Sequence, residues 1–121
     1  KMTGKRYPEA LGRMHFWITF IGVNILFFPQ HFLGMAGMPR RIPDYPDAFA
    51  GWNYVSSLGA LLTALGTVFF FYVAYRTFTS KEAVEGNQWG EGATTLEWTV
   101  ASPAPFHTHE VIPNMEGKPA E

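Results

Sequence analysis

Residues 52–75, WNYVSSLGALLTALGTVFFFYVAY, are 24 consecutive residues without a charged side chain. A helix of about 20 apolar residues spans the ~30 Å hydrocarbon core of a bilayer, so this run is long enough to cross a membrane with some tilt. A second run, residues 11–28, contains one charged side chain, Arg13, close enough to its start to reach the headgroups. The two runs predict an all-α membrane protein.

The predicted architecture is a two-helix transmembrane hairpin. Pro29 removes one backbone donor from the first helix and is expected to kink it. The predicted segments are a loop at 1–10, a membrane helix at 11–38, a loop at 39–51, a membrane helix at 52–78 and a polar tail at 79–121.

Small residues concentrate in the second run. Ser56, Ala60 and Ala64 recur at every fourth residue, with Gly59, Thr63, Gly66 and Thr67 nearby. Small side chains let helices approach closely in lipid. We therefore expect a helix to approach this face. The aromatic residues at 69–72 and Tyr75 are expected to face lipid or a partner.

Composition excludes several classes of function. Only 16% of the 121 residues are charged, below the roughly 25% of a soluble domain. The net charge of -1 gives no reason to expect a nucleic-acid partner. Because the chain has no cysteine, disulfides, thiolate metal sites and thiol nucleophiles are excluded.

The loop at 39–51 carries the most distinctive charges, the adjacent Arg40 and Arg41, between prolines that stiffen it. A guanidinium binds carboxylates or phosphates through two parallel hydrogen bonds and stays charged. The pair therefore predicts an anion site, although a solvated loop that holds lipid phosphates has the same composition. Asp44 and Asp47 fit loop caps and arginine counter-ions better than a pair of catalytic acids.

The histidines are weaker candidates. His15 and His31 are 16 residues apart, about 24 Å along one helix, so they cannot share a metal. Either could be an axial ligand of haem or chlorophyll, as in an antenna or haem-binding hairpin, but hydrogen bonding at a helix end or to a neighbouring chain is favoured. His107 and His109 have chelating spacing without a third ligand, so a tail contact is favoured.

Basic residues predict the orientation. Six basic residues flank the helices outside the loop and two lie inside it, which places both termini in the cytoplasm or matrix. Since the chain starts at Lys1 and Met2, we expect cleavage of a targeting peptide or separation from a longer polypeptide upstream. The tail has no periodic apolar face and is expected to lie on another protein's surface through anchors including Leu96, Trp98, Phe106 and Ile112.

Several motifs together resemble the carboxyl-terminal part of subunit 1 of the cytochrome c oxidases, the haem-copper oxygen reductases. The resemblance covers nearly the whole chain, and the two apolar runs correspond to the last two of the family's twelve membrane helices. The motifs are LGRMHFW at 11–17, FPQHFLG at 28–34, GMPRRIPDYPDA at 37–48, Trp52-Asn53, LEW at 96–98 and SPAPFHT at 102–108.

The resemblance implies a role in an oxidoreductase that passes electrons from cytochrome c to oxygen and pumps protons. It implies two haem A groups and a copper ion, whose histidine ligands lie on helices absent from this chain. Arg40 would contact propionates of the high-spin haem and Arg41 those of the low-spin haem. The carbonyl of Pro43 would be a candidate ligand for calcium or sodium.

The resemblance also implies partners and a location. The partners would be the remainder of subunit 1, subunit 2, other oxidase subunits and membrane lipid, in the mitochondrial inner membrane or the bacterial plasma membrane. The chain would be a split subunit or an excerpt, inactive alone, that completes the helix bundle. The alternative is a non-catalytic two-helix accessory or assembly protein that binds lipid phosphates.

Overall fold

The computed structural model describes residues 1–111. The last ten residues of the predicted tail, 112–121, which include the anchor Ile112, lie outside the described residues. Two long helices, α1 (Glu9–Met35) and α2 (Ala50–Thr79), are joined by a loop that ends in a 3₁₀ turn at Asp47–Phe49. Both helices are long and apolar enough to cross a membrane. No strand occurs within residues 1–111, and the predicted all-α hairpin is confirmed.

The helix α1 continues through Pro29, which is buried. The predicted bounds were 11–38, whereas α1 begins at Glu9 and ends at Met35. Glu9 lies in the first turn, where its carboxylate complements the helix dipole. It also pairs with Arg13 at 3.5 Å, but both side chains are exposed, so this ion pair adds little stability.

The chain divides into two compact units, and the first, Pro8–Ala74, contains α1 and most of α2. Its helices meet through glycines. A β-carbon on Gly59 would lie 2.3 Å from the Leu26 backbone nitrogen, and one on Gly66 would lie 2.9 Å from the Thr19 hydroxyl. Because glycine has no β-carbon, the two backbones come close enough for extensive dispersion contact.

Only some of the small residues of α2 lie in the contact with α1. Ser56, Gly59 and Gly66 are buried, whereas Ala60 and Ala64 are exposed. A step of four residues turns about 40° around an α-helix, so positions 60 and 64 leave the contact line. Steps of three and seven follow the line between two packed helices more closely. The expectation of close approach was right for Ser56, Gly59 and Gly66 but wrong for the two alanines.

A short chain of hydrogen bonds joins the helices beside Pro29. The amide of Gln30 donates to Ser56 Oγ at 2.7 Å, and Ser56 Oγ donates to the Leu26 carbonyl at 2.9 Å. Within a bilayer such polar groups have no water to bond, so each bond also satisfies a group that would be costly to leave unpaired.

The second unit comprises Lys1–Tyr7 and the segment from Tyr75 onward. Lys1 Nζ donates to the Gly86 carbonyl at 2.8 Å and to the Val100 carbonyl at 2.5 Å, and it lies 5.6 Å from the ring centroid of Trp98. Among the described residues of this unit only Gly4 is buried. Hydrogen bonds and ring contacts therefore organise this unit in place of an apolar core.

Candidate anion site at the arginine loop

The end of α1 positions the arginine loop through a glycine turn. The Gly37 amide donates to the Gly34 carbonyl at 3.1 Å, and the Met38 amide donates to the Leu33 carbonyl at 3.0 Å. Gly37 has φ of 97°, in the left-handed region that glycine adopts at low cost. Pro39 follows and cannot continue the helix, so the chain leaves α1 in a defined direction.

Arg41 is the only residue other than glycine with a positive φ among residues 1–111, at 56°. This conformation costs an ordinary residue roughly 1–2 kcal/mol, because its β-carbon crowds the carbonyl oxygen. Strain of this kind concentrates at ligand-binding positions. The loop therefore turns sharply at its second arginine, next to Arg40.

A cavity of about 440 Å³ opens at the arginine pair. Both arginines are exposed, and neither guanidinium forms a hydrogen bond or ion pair with another residue in the described range 1–111. The cavity is therefore positively charged and suited to an anion. Its lining consists of Gln30, Leu33, Gly34, Met38, Pro39, Arg40, Arg41 and Ile42.

The aspartates of the loop do not neutralise this charge within the described part of the chain. Asp44 Oδ1 accepts a hydrogen bond from the Tyr45 amide at 2.8 Å, and Asp47 begins the 3₁₀ turn. The interpretation of Asp44 as a loop cap is thus confirmed, but the expected arginine–aspartate ion pairs are wrong. Both guanidinium groups are therefore left without a counter-ion among residues 1–111 and are available to an anion.

Two polar side chains near this loop occur in the quoted motifs but were given no role from the sequence. Gln30 lines the cavity while its amide is held by Ser56. Asn53 Nδ2 donates to the Phe49 carbonyl at 2.8 Å and lies 3.5 Å from Met38 Sδ. Both could have been identified from the sequence because polar side chains are rare within an apolar helix and usually form a hydrogen bond there.

The histidines of α1 form local hydrogen bonds. His31 Nδ1 lies 3.2 Å from the Phe27 carbonyl, and His15 Nε2 lies 3.3 Å from the Thr19 hydroxyl. Both contacts lie within α1, and His31 is near its carboxyl end, as the favoured role expects, whereas His15 is not at a helix end.

Candidate metal ligands are not brought together. Pro43 and the predicted chelating pair, His107 and His109, are exposed, and no group of three or more acidic or histidine side chains within residues 1–111 could hold a metal ion. A cation at the Pro43 carbonyl does not fit the donors of this segment alone, because calcium takes 6–8 oxygen ligands.

Comparison with known proteins identifies the family. The model of the family described as cytochrome c and quinol oxidase polypeptide I matches residues 1–62. Cytochrome c oxidase subunit 1 of Cereibacter sphaeroides is 55% identical over 117 residues, which are 96% of this chain and 21% of the relative. Cytochrome c oxidase subunit 1 of Yarrowia lipolytica is 46% identical over 123 residues, with 88% of this chain and 23% of the relative covered.

The chain thus spans about a fifth of the length of these curated relatives, and it corresponds to one segment of each of them. The relatives and the two apolar helices identify a membrane protein. From the family model and these identities, the chain belongs to the cytochrome c and quinol oxidase polypeptide I family.

Proposed function

We propose that this chain is the segment of a cytochrome c oxidase catalytic subunit that holds haem A propionates through Arg40 and Arg41. The observation that carries the proposal is a guanidinium pair at a cavity without a counter-ion among residues 1–111. A propionate is a carboxylate, and carboxylates form the strongest bidentate pairs with arginine. The donor set of the cavity therefore fits the acidic side arms of a haem.

In this proposal the two arginines act through their positive charge. Their fixed charges keep carboxylates ionised at neutral pH and favour added electrons nearby. Arg40 serves the high-spin haem and Arg41 the low-spin haem. The haems supply the electron-transfer and oxygen chemistry when bound, together with copper held by other helices of the subunit.

The assembly implied by this function is larger than the chain. We propose that the remainder of subunit 1, subunit 2, other oxidase subunits and lipid surround the hairpin. The termini lie on the matrix or cytoplasmic side of a mitochondrial inner or bacterial plasma membrane, with the arginine loop on the opposite face. Calcium or sodium at the Pro43 carbonyl would require ligands from those neighbours.

The test replaces Arg40 or Arg41 by Gln in the assembled oxidase and measures haem midpoint potentials and absorption spectra. Loss of one charge partner is expected to lower a haem potential by about 40 mV or more, the equivalent of ~1 kcal/mol for one electron. Arg13→Gln is the control, because Arg13 contacts only the exposed Glu9 in the described structure.

Unchanged potentials in both arginine variants would contradict the proposal. If those variants instead lost bound phospholipid while the haem spectra stayed constant, the cationic cavity would be a site for lipid phosphates and not for haem propionates.

A further inference from the structure

One side chain contacts both ends of the arginine loop. Asn53 lies in the first turns of α2 and contacts Met38, the residue before Pro39, through its sulfur at 3.5 Å. The same nitrogen donates to the carbonyl of Phe49, the last residue of the 3₁₀ turn, at 2.8 Å. An amide NH2 group has two donor hydrogens, so it can serve both acceptors at once.

The positions of Arg40 and Arg41 depend on the two ends of the loop, because few hydrogen bonds within the loop hold its backbone. Arg40 and Arg41 are exposed, and Arg41 holds a left-handed backbone. A strained conformation persists only where the surrounding structure fixes it. Beyond Met38, the described bonds that stay within the loop are the Asp44–Tyr45 contact and the Phe49 amide to the Pro46 carbonyl at 2.9 Å.

We propose that Asn53 is a positioning residue that fixes the direction of Arg40 and Arg41 by tying Met38 to Phe49. This inference rests on the proposed haem-propionate function and adds a determinant of its geometry. Asn53 does not line the arginine cavity and acts through the loop. Loss of the Asn53 side chain keeps both arginine charges but lets the two guanidinium groups occupy a wider range of positions. The haem potential therefore shifts less than when an arginine is removed.

The experiment compares Asn53→Ala and Met38→Leu with the unaltered oxidase complex. Asn53→Ala removes both donors, whereas Met38→Leu removes the sulfur acceptor and nearly conserves volume. Ser57→Ala is the matched control, because Ser57 donates to the Asn53 carbonyl at 3.0 Å from an exposed position and has no described contact with the loop. Met38→Leu keeps the test decisive if the alanine variant does not assemble.

Two measurements are made on each complex. Hydrogen exchange is followed at the Met38 and Phe49 amides, which are hydrogen-bonded. Exchange in Asn53→Ala is expected to be about 2- to 10-fold faster, the factor for one lost hydrogen bond. The second measurement is the haem midpoint potential, which a purely structural role would leave unchanged. It is expected to shift in the same direction as in Arg40→Gln and Arg41→Gln, but by less.

The outcomes separate the two proposals. Unchanged exchange in both loop variants would overturn the role of Asn53. Faster exchange with an unchanged haem potential, while the arginine variants do shift it, would overturn the link to the haem and leave the proposed function intact. Unchanged haem potentials in the arginine variants would refute the proposed function. They would also refute the proposal that Asn53 positions the arginines toward haem.

Discussion

Gly59 of α2 lies against the backbone of α1 at Leu26, where a β-carbon would approach the Leu26 nitrogen to 2.3 Å. The same β-carbon would lie 2.6 Å from the carbonyl carbon of Ile25. These neighbours are backbone atoms that no rotamer change can move aside. The hairpin therefore contains a contact that only glycine permits.

Gly59→Ala is expected to destabilise the hairpin by at least about 1–3 kcal/mol, the usual cost of overpacking, because the helices must separate. The measurement is the thermal unfolding midpoint of the assembled protein in detergent. Gly51→Ala is the control, since nothing lies within 4 Å of a β-carbon at that position of α2. Equal midpoints for the two variants would show that the close approach is absent in the assembled protein.

Ser56→Ala is expected to cost about 0.6 kcal/mol and at most about 1.7 kcal/mol, the mean and the maximum measured for hydrogen bonds between membrane helices. The change removes the donor to Leu26 and the acceptor for Gln30 together. Reversible unfolding in mixed micelles provides the measurement, with the exposed Ser57→Ala as reference. A cost no greater than that of the reference would contradict an interhelical role for Ser56.

Lys1→Met is expected to loosen the second unit, because it removes the cation that contacts Gly86, Val100 and Trp98. Faster hydrogen exchange at the Val84 amide, which donates to the Gly4 carbonyl at 3.1 Å, would report the change. We expect a severalfold increase, since a hydrogen bond from a charged group contributes about 1.5–3 kcal/mol before solvent screening. The exposed Lys81→Met serves as the control, and equal exchange in the two variants would exclude the Lys1 contact.

Glu97 gives the same unit a dependence on pH. The Thr95 side chain, the Glu97 backbone amide and Lys1, in that order, lower the pKa of this carboxyl below its ordinary 4.5. Because the folded pKa is the lower one, the stabilisation is present above pH 4.5 and is lost as the pH falls through the lowered pKa.

Titration of Glu97 by NMR should therefore show a midpoint below 4.5. Thr95→Val should move that midpoint upward, because it removes the largest cause of the lowered pKa. Glu91→Gln, in the same segment, should leave it in place. A midpoint insensitive to Thr95→Val would show that the hydroxyl does not bond the carboxylate.

The sequence predicted the features that depend on composition. The uncharged run at 52–75 was enough to predict α2, since length and apolarity decide whether a helix can span a bilayer. The turn before Arg40 was missed, because the predicted helix continued to residue 38, whereas α1 ends at Met35. The order of glycine and proline at 37 and 39 is a local signal that could have predicted it.

The contacts between distant residues could not be predicted in this way. Regular spacing favoured Ala60 and Ala64, but the rotation of α2 depends on the whole contact with α1, where Gly59 permits the closest approach. Lys1 and Val100 are 99 positions apart, and no local pattern indicates that they meet. At Arg41 the charge was visible in the sequence, whereas its left-handed backbone was not.

The backbone of Arg41 has a consequence for protein engineering. Glycine would adopt the same φ without the crowding that arginine incurs, so the loop would gain heat resistance by giving up this side chain. A variant library screened only for survival at high temperature would therefore enrich glycine at position 41. Such a screen would discard the cation, so position 41 should be held constant in it.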